Sequence, residues 1–451
     1  MTRGAGEGGA RIAAGLAAAA PPAPSRPRLA RPEATVWTRA EGLLALVLVF
    51  AVGSQVSLLY HAPLGALASL ALFPLWQRTL ATSGWVRLLM GLLAVSAACG
   101  LLLSLLARST HAISTYSIVE RSLMLACLVG GLGALLYALA RFTPATVALV
   151  YGLGMAAAVP LAGINPANPW KFSLSMPVTV VVLALLMRRD RASLQVVALV
   201  GLGAVGMVSD SRSYASMMFL AAAILAWNRV LPRLVGARRR WGNLFGLAAL
   251  GIALFYFMQF ALLQGYFGEV TQQRTADQIE RSGSLLLGGR PELAASLALL
   301  RAHPAGLGSG TIANAGDVYR AQEGMAGIGY DPNNGYVLNY MFGSGVEVHS
   351  VAADFWLWFG LPGLAAVIVA GALVASGVNR ALRAGAMSGL LAYVGIRFFW
   401  DLAFSPASTS MRLAVLAIAL AVVALRPGRV VGARDYRSRG SSSAMSQSSA
   451  T

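Results

Sequence analysis

Three residues of this chain have types and settings suited to chemistry on an anion: Arg212, Arg290 and His349. Arg212 sits in the short link Ser209-Asp210-Ser211-Arg212-Ser213 between two apolar runs. A guanidinium is a planar fork of donors that matches phosphate oxygens in two-point contact. A pair with Asp210 or a lipid headgroup would account for it as well. Arg290 follows Gly288-Gly289 and precedes Pro291. Proline favours the first helical position, so Arg290 is expected at the start of a helix, where it is a ligand for an anion or a solvated loop charge. His349 stands immediately ahead of an apolar run, and imidazole is the side chain best suited to proton transfer near neutral pH. Asp354, five residues on, would be turned off its face if the segment were helical. The other histidines, His61, His111 and His303, have no H-E-x-x-H-like spacing, so no metal site is expected. The run Gly306-x-Gly308-x-Gly310 follows no strand and opens no helix, so it fails as a dinucleotide fingerprint and reads as a flexible turn.

A membrane-spanning framework must position these residues. Of 451 residues, 57% are hydrophobic and 12% charged, with a mean hydropathy of +0.66. A soluble domain carries about 25% charged residues, so a soluble enzyme, a disordered regulator and a disulfide-rich module are excluded. Cys99 and Cys127 both lie in apolar runs. The net charge of +18 is spread in small groups between those runs, which suits cytoplasmic loops and not nucleic acid.

Twelve apolar runs can be traced: 41–60, 62–76, 85–106, 122–140, 144–162, 173–187, 193–209, 213–228, 242–264, 351–375, 384–400 and 410–426. A helix needs about 20 residues to cross the hydrocarbon, and the second, sixth and eighth runs fall short. The expected fold is all-α and polytopic: helices 1–9 over 37–264, a large outer loop over 265–350, helices 10–12 over 351–426. Tails at 1–36 and 427–451 read as disordered. With both tails cytoplasmic, 24 of the 35 basic residues fall inside, and five of the remaining eleven lie in the long loop, where the charge rule is weak. The loop holds eight acids and five arginines, two helical stretches (Thr271–Arg281 and Pro291–Ala302) and the turn Asp331-Pro332-Asn333-Asn334-Gly335. It reads as a small folded cap. Trp170, Trp356, Trp358 and Trp400 fall near outer span ends and read as interfacial anchors.

Three local signatures occur in order over residues 200–375: Ser211-Arg212 opening a helix; Arg290 leading a helix into His303-Pro304-Ala305-Gly306-Leu307-Gly308; and Val348-His349-Ser350 followed by Gly360-Leu361-Pro362-Gly363. In this set the chain resembles the O-antigen ligase and polymerase superfamily of membrane glycosyltransferases. The resemblance implies an inner-membrane protein with a periplasmic loop between helices 9 and 10. The implied donor is a glycan on undecaprenyl diphosphate, and the implied acceptor is a hydroxyl of lipid A–core or of a growing polysaccharide. Arg212 and Arg290 would bind the diphosphate and His349 would be catalytic, with no cofactor and no metal. The stretch Thr311–Glu347 is longer than the family pattern. The alternative is a multi-pass transporter or flippase for a polysaccharide precursor. Such proteins tend to show internal repeats and polar groups at the midplane, and neither is evident here.

Overall fold

The computed structural model describes residues 36–57, 60–80, 83–189, 191–235, 242–285, 289–333, 335–343 and 345–426. Apart from Val36, both expected tails lie outside the described residues. The chain divides into two units, 1–41 and 42–451. Of the first, only 36–41, the opening turns of helix α1 (Val36–Ser54), are described. All other described residues belong to the second unit.

Among the described residues the fold is all-helical, with isolated bridges and no strand. After α1 come α2 (Leu64–Ala71), α3 (Phe73–Leu80), α4 (Gly84–Ala107), α5 (Thr115–Leu139), α6 (Pro144–Ala162), a π turn (Trp170–Leu174) running into α7 (Ser175–Arg188), α8 (Ala192–Val208), α9 (Arg212–Val235) and α10 (Gly242–Leu263). Residues 265–350 carry α11 (Glu269–Ser282), α12 (Glu292–Ala302), α13 (Ala315–Ala326) and a second π turn (Tyr336–Met341). The chain ends in α14 (Val351–Arg383), α15 (Gly389–Phe404) and α16 (Ala407–Leu425).

Six of these helices are long and apolar enough to cross a membrane: α4, α5, α6, Trp170–Arg188, α14 and α16. Their outer faces suit lipid, since Leu101, Leu102, Leu105 and Leu106 of α4 are exposed side chains that water would penalise. Six of the twelve expected spans are thus found among the described residues. The run 62–76 is not one span: it breaks at Leu72 into α2 and α3, eight residues and about 12 Å each. Pro74, with no N–H to donate, sits in the first turn of α3, where a new helix tolerates it. Both pieces pack on α5, where the Ser69 hydroxyl donates to the Gly130 carbonyl at 2.7 Å. α8 and α15, at 17 and 16 residues, are shorter than a full crossing.

The core is the packing of α14 against α4 and α16, and of α16 against α5. One irregularity in α14 holds the loop. Gly360 has φ +64 and ψ −152, a region open only to glycine, and kinks α14. The Leu357 carbonyl beside the kink accepts from the N–H groups of Leu307 and Gly308 (2.7 and 3.0 Å). Ser309 N–H donates to Gly100 O (3.0 Å) and Gly310 N–H to Ser104 Oγ (2.8 Å). The run 306–310 is therefore a seam bonded to two helices and not the flexible turn expected. Glycine is needed at 308 because a Cβ there would lie 2.3 Å from the Ser104 nitrogen. These N–H groups are all engaged, which leaves no cradle for phosphate.

Gly360→Ala is expected to cost about 1–3 kcal/mol of strain. It should lower the thermal midpoint in detergent and speed proteolysis near residue 306. Gly385→Ala is the control: it shares a φ of +64 but meets no neighbouring atom, so proteolysis near 306 should be unchanged.

Candidate functional site

His349 is built into a strained backbone. Its φ is +57, which for a side chain of this kind costs about 1–3 kcal/mol and persists only where neighbours over-determine it. They do. The Val348 N–H donates to Asp354 Oδ1 (2.7 Å), and the Ser296 hydroxyl donates to Val348 O (3.2 Å). On the other side Ser350 caps α14, accepting from Ala353 N–H (3.3 Å), while its hydroxyl donates to Leu402 O (2.8 Å). Asp354 also accepts from the Ala407 N–H (2.9 Å). It is not a partner of the imidazole, as its spacing suggested. It acts on the backbone ahead of it, a role helical spacing cannot show.

The imidazole is buried and lies flat on Tyr340, with centroids 4.1 Å apart and planes at 16°. Its Nδ1 is 3.2 Å from the Glu347 carbonyl. A carbonyl only accepts, so Nδ1 carries the proton and the neutral ring keeps its Nε2 lone pair. Burial lowers the His349 pKa below its ordinary 6.5; Glu347 and Glu292 oppose this and Arg290 adds to it. At pH 7 the ring is neutral and able to take a proton.

Arg290 shares this neighbourhood. It directly precedes Pro291, the N-cap of α12. Its Nη1 lies 3.4 Å from Glu292 Oε1, and its guanidinium lies over the Trp400 ring at 5.5 Å. Glu292 is only 2% exposed, and its Oε2 accepts from the Tyr336 hydroxyl (3.2 Å). Tyr336 and Tyr340 have ring centroids 4.9 Å apart, so contacts run from Arg290 through Glu292, Tyr336 and Tyr340 to His349. Burial, with the nearby Glu292, pushes the Tyr336 and Tyr340 hydroxyls above their ordinary range, so both are donors at neutral pH. Sequence reading missed Glu292, Tyr336 and Tyr340. An acid opening an apolar helix and tyrosines at i, i+4 were the only local signals.

Arg212 opens α9 but is not joined by any contact among the described residues to Arg290 or His349. Its Nη1 bonds Thr275 Oγ1 of α11 at 3.2 Å. The expected alternative, a pair with Asp210, is loose at 3.9 Å with the carboxylate exposed, worth at most about 1 kcal/mol. Arg290 nonetheless meets α15 directly, and α9, which Arg212 opens, packs on the same helix. Tyr214, two residues after Arg212, meets Tyr393 (6.3 Å), and Trp400 of the same helix lies under Arg290. Those contacts are seven residues, about 10 Å, apart along α15.

Two other expectations change. Trp358 is buried, lies under the Arg121 guanidinium at 4.2 Å, and donates from Nε1 to Val346 O. It is a structural post and not an interfacial anchor. The histidines do converge despite their spacing. His111 Nε2 lies 2.9 Å from Asp317 Oδ2 and His303 Nε2 2.7 Å from Asp317 Oδ1. The ligand atoms lie within 4.8 Å of one another, a geometry that could hold a cation. The carboxylate is already well satisfied. It accepts from Asn314 N–H (3.1 Å) in a capping box at the start of α13, and Arg320 approaches to 3.8 Å. Burial alone would raise the Asp317 pKa, but the bond from His303 and that of Asn314 hold it below the usual carboxylate value. The arrangement works as a clasp between the α4–α5 link and the loop. No protein-family model and no curated protein matches this chain.

His303→Ala is expected to lower the thermal midpoint, with a loss of about 1.5–3 kcal/mol for a bond to a buried charge. EDTA should leave the wild-type midpoint unmoved. A fall with EDTA, restored by a divalent ion, would make the clasp a cation site.

Proposed function

We propose that the protein is a metal-independent membrane glycosyltransferase of the O-antigen ligase or polymerase type. The contact chain from Arg290 to His349 is the observation that carries this reading. It links a cation, through Glu292, Tyr336 and Tyr340, to an imidazole with a free lone pair where the loop returns to an apolar helix. In this reading the chain crosses the inner membrane twelve times, α2 and α3 together counting as one broken crossing. Both tails are cytoplasmic, and residues 265–350 face the periplasm.

The donor is a glycan on undecaprenyl diphosphate. The acceptor is a hydroxyl of lipid A–core or of a growing polysaccharide. His349 Nε2 takes the hydroxyl proton as the acceptor oxygen bonds to the sugar C1. The C1–O bond to the diphosphate breaks, and its electron pair leaves with the undecaprenyl diphosphate. Arg290 and Arg212 stabilise that growing charge. Trp400 holds the guanidinium of Arg290 while leaving donors open to phosphate. No internal repeat in the sequence favours a transporter, although α15 does carry an ion pair, Arg397–Asp401 at 2.8 Å.

Three outcomes test this. His349→Ala should slow single-turnover transfer about 10²–10⁴-fold while a lipid diphosphate still binds. Wild-type turnover would remove its catalytic role, and joint loss of binding and turnover would reassign it to the diphosphate. Arg290→Ala and Arg212→Ala should abolish transfer without preventing membrane insertion. Arg→Lys should recover only part, because a point charge replaces a two-point fork. Reporter fusions should read cytoplasmic at Arg239 and in the C-terminal tail, and periplasmic near Asn334. A cytoplasmic signal at Asn334 would remove the outward site altogether.

A further inference from the structure

A cavity of about 660 Å³ lies away from Arg290, bounded by α1, α2, α5, α14 and α16. That volume is in the range of sites for organic ligands. Its character changes along one helix face. On α5 the residues Tyr116, Glu120, Met124 and Leu128 recur every four positions and all line it. Over these residues, about 18 Å of helix, the lining passes from exposed and polar to buried and apolar. Other elements repeat the gradient. His61 and Ser408 are exposed, whereas Val52, Cys127 and Val415 are buried.

The polar end is assembled and not incidental. His61 Nδ1 meets Glu120 Oε1 at 2.7 Å, and the Ser408 hydroxyl donates to Glu347 Oε1 at 2.6 Å. Tyr60 and Tyr116 place their rings 5.0 Å apart. Gln55, Tyr60 and His61 all line the cavity with left-handed φ of 53, 53 and 55. Among the described non-glycine residues only Asp210 and His349 share that conformation. Strain of this kind concentrates at binding sites.

Charge narrows the occupant. The mouth presents two carboxylates, Glu120 and Glu347. The Arg121 guanidinium offsets part of that charge, but it donates to the carbonyls of Ser309 (2.7 Å) and Val346 (3.1 Å) and lies against the Trp358 ring. Carboxylates accept from hydroxyls and repel phosphate. The apolar depth suits a hydrocarbon chain. We infer that this cavity binds an uncharged glycolipid, its hydroxyl-rich head at the mouth and its chain among α1, α5 and α16. Glu347 lines the cavity while its carbonyl accepts from His349 Nδ1, so the lipid's head lies two residues along the chain from His349.

The test uses the full-length protein in nanodiscs of phosphatidylethanolamine and phosphatidylglycerol. The probe is dodecyl maltoside with a diazirine in its alkyl chain, and adducts are placed by peptide mass spectrometry. The expected adducts fall on Met124, Cys127 and Met411. Glu120→Gln, a half-buried change at the mouth that leaves the apolar depth alone, should raise the half-saturating concentration about 10-fold. Cys127→Trp should abolish labelling by filling the depth. Dodecyl phosphate with the same chain should not label these residues. The inference is overturned by equal labelling with the phosphate probe, by indifference to both variants, or by adducts confined to lipid-facing residues such as Leu102 and Phe257. Labelling is read without turnover. A protein that labels as expected yet transfers no glycan refutes the enzyme reading and leaves the glycolipid site standing.

Discussion

The Asp354 carboxylate holds the geometry on which the rest of the site depends. It is fully buried and accepts two backbone N–H groups, from Val348 at the end of the loop and Ala407 at the start of α16. A buried acceptor shared by two segments fixes both, since either donor left unpaired would cost about 1–3 kcal/mol. The left-handed turn at His349 is tolerated because Val348 cannot move. Ser408, one residue after Ala407, then reaches Glu347, so the same carboxylate also frames the cavity mouth.

Around that clamp the loop is fastened by complementary devices rather than by a large apolar interface. The Gly360 kink exposes a carbonyl to residues 307 and 308, and Arg121 draws in the carbonyls of Ser309 and Val346. The Asp317 clasp ties the loop to the α4–α5 link. Of these fasteners, Arg121 also lines the cavity, so the loop is held there where preorganisation matters. Arg290 is joined to His349 through Glu292, which accepts from the Tyr336 hydroxyl, and through the adjoining rings of Tyr336 and Tyr340.

Much of the helical framework was legible because apolar run length reports it directly. Loop helices were legible too: Thr271–Arg281 and Pro291–Ala302 were expected, and Glu269–Ser282 and Glu292–Ala302 are found. The break at Leu72 was marked by Pro74 but was outweighed by the surrounding apolar residues. Two histidines meeting one aspartate were not legible, because His111 and Asp317 are 206 residues apart. The Gly-rich run showed which residues were small but not which helix backbones they had to approach. Arg290 and His349 were legible singly, as polar residues at boundaries. Their connection runs through Glu292, Tyr336 and Tyr340, which have no distinctive local pattern.

Arg290 and His349 belong to one connected site in which burial, aided by the Arg290 charge, keeps the imidazole neutral. The most direct measurement is the titration of His349 by NMR in protein labelled only at its four histidines, with the signal assigned by its loss in His349→Gln. The expected midpoint lies below the ordinary 6.5 because burial outweighs the opposing Glu347 and Glu292, with the Arg290 charge a smaller contribution on the side of burial. Arg290→Gln removes a cation that disfavours imidazolium, so the midpoint should move upward. A midpoint at or above 6.5 that ignores the Arg290 substitution would contradict the shared site and leave His349 an isolated histidine at the end of a loop.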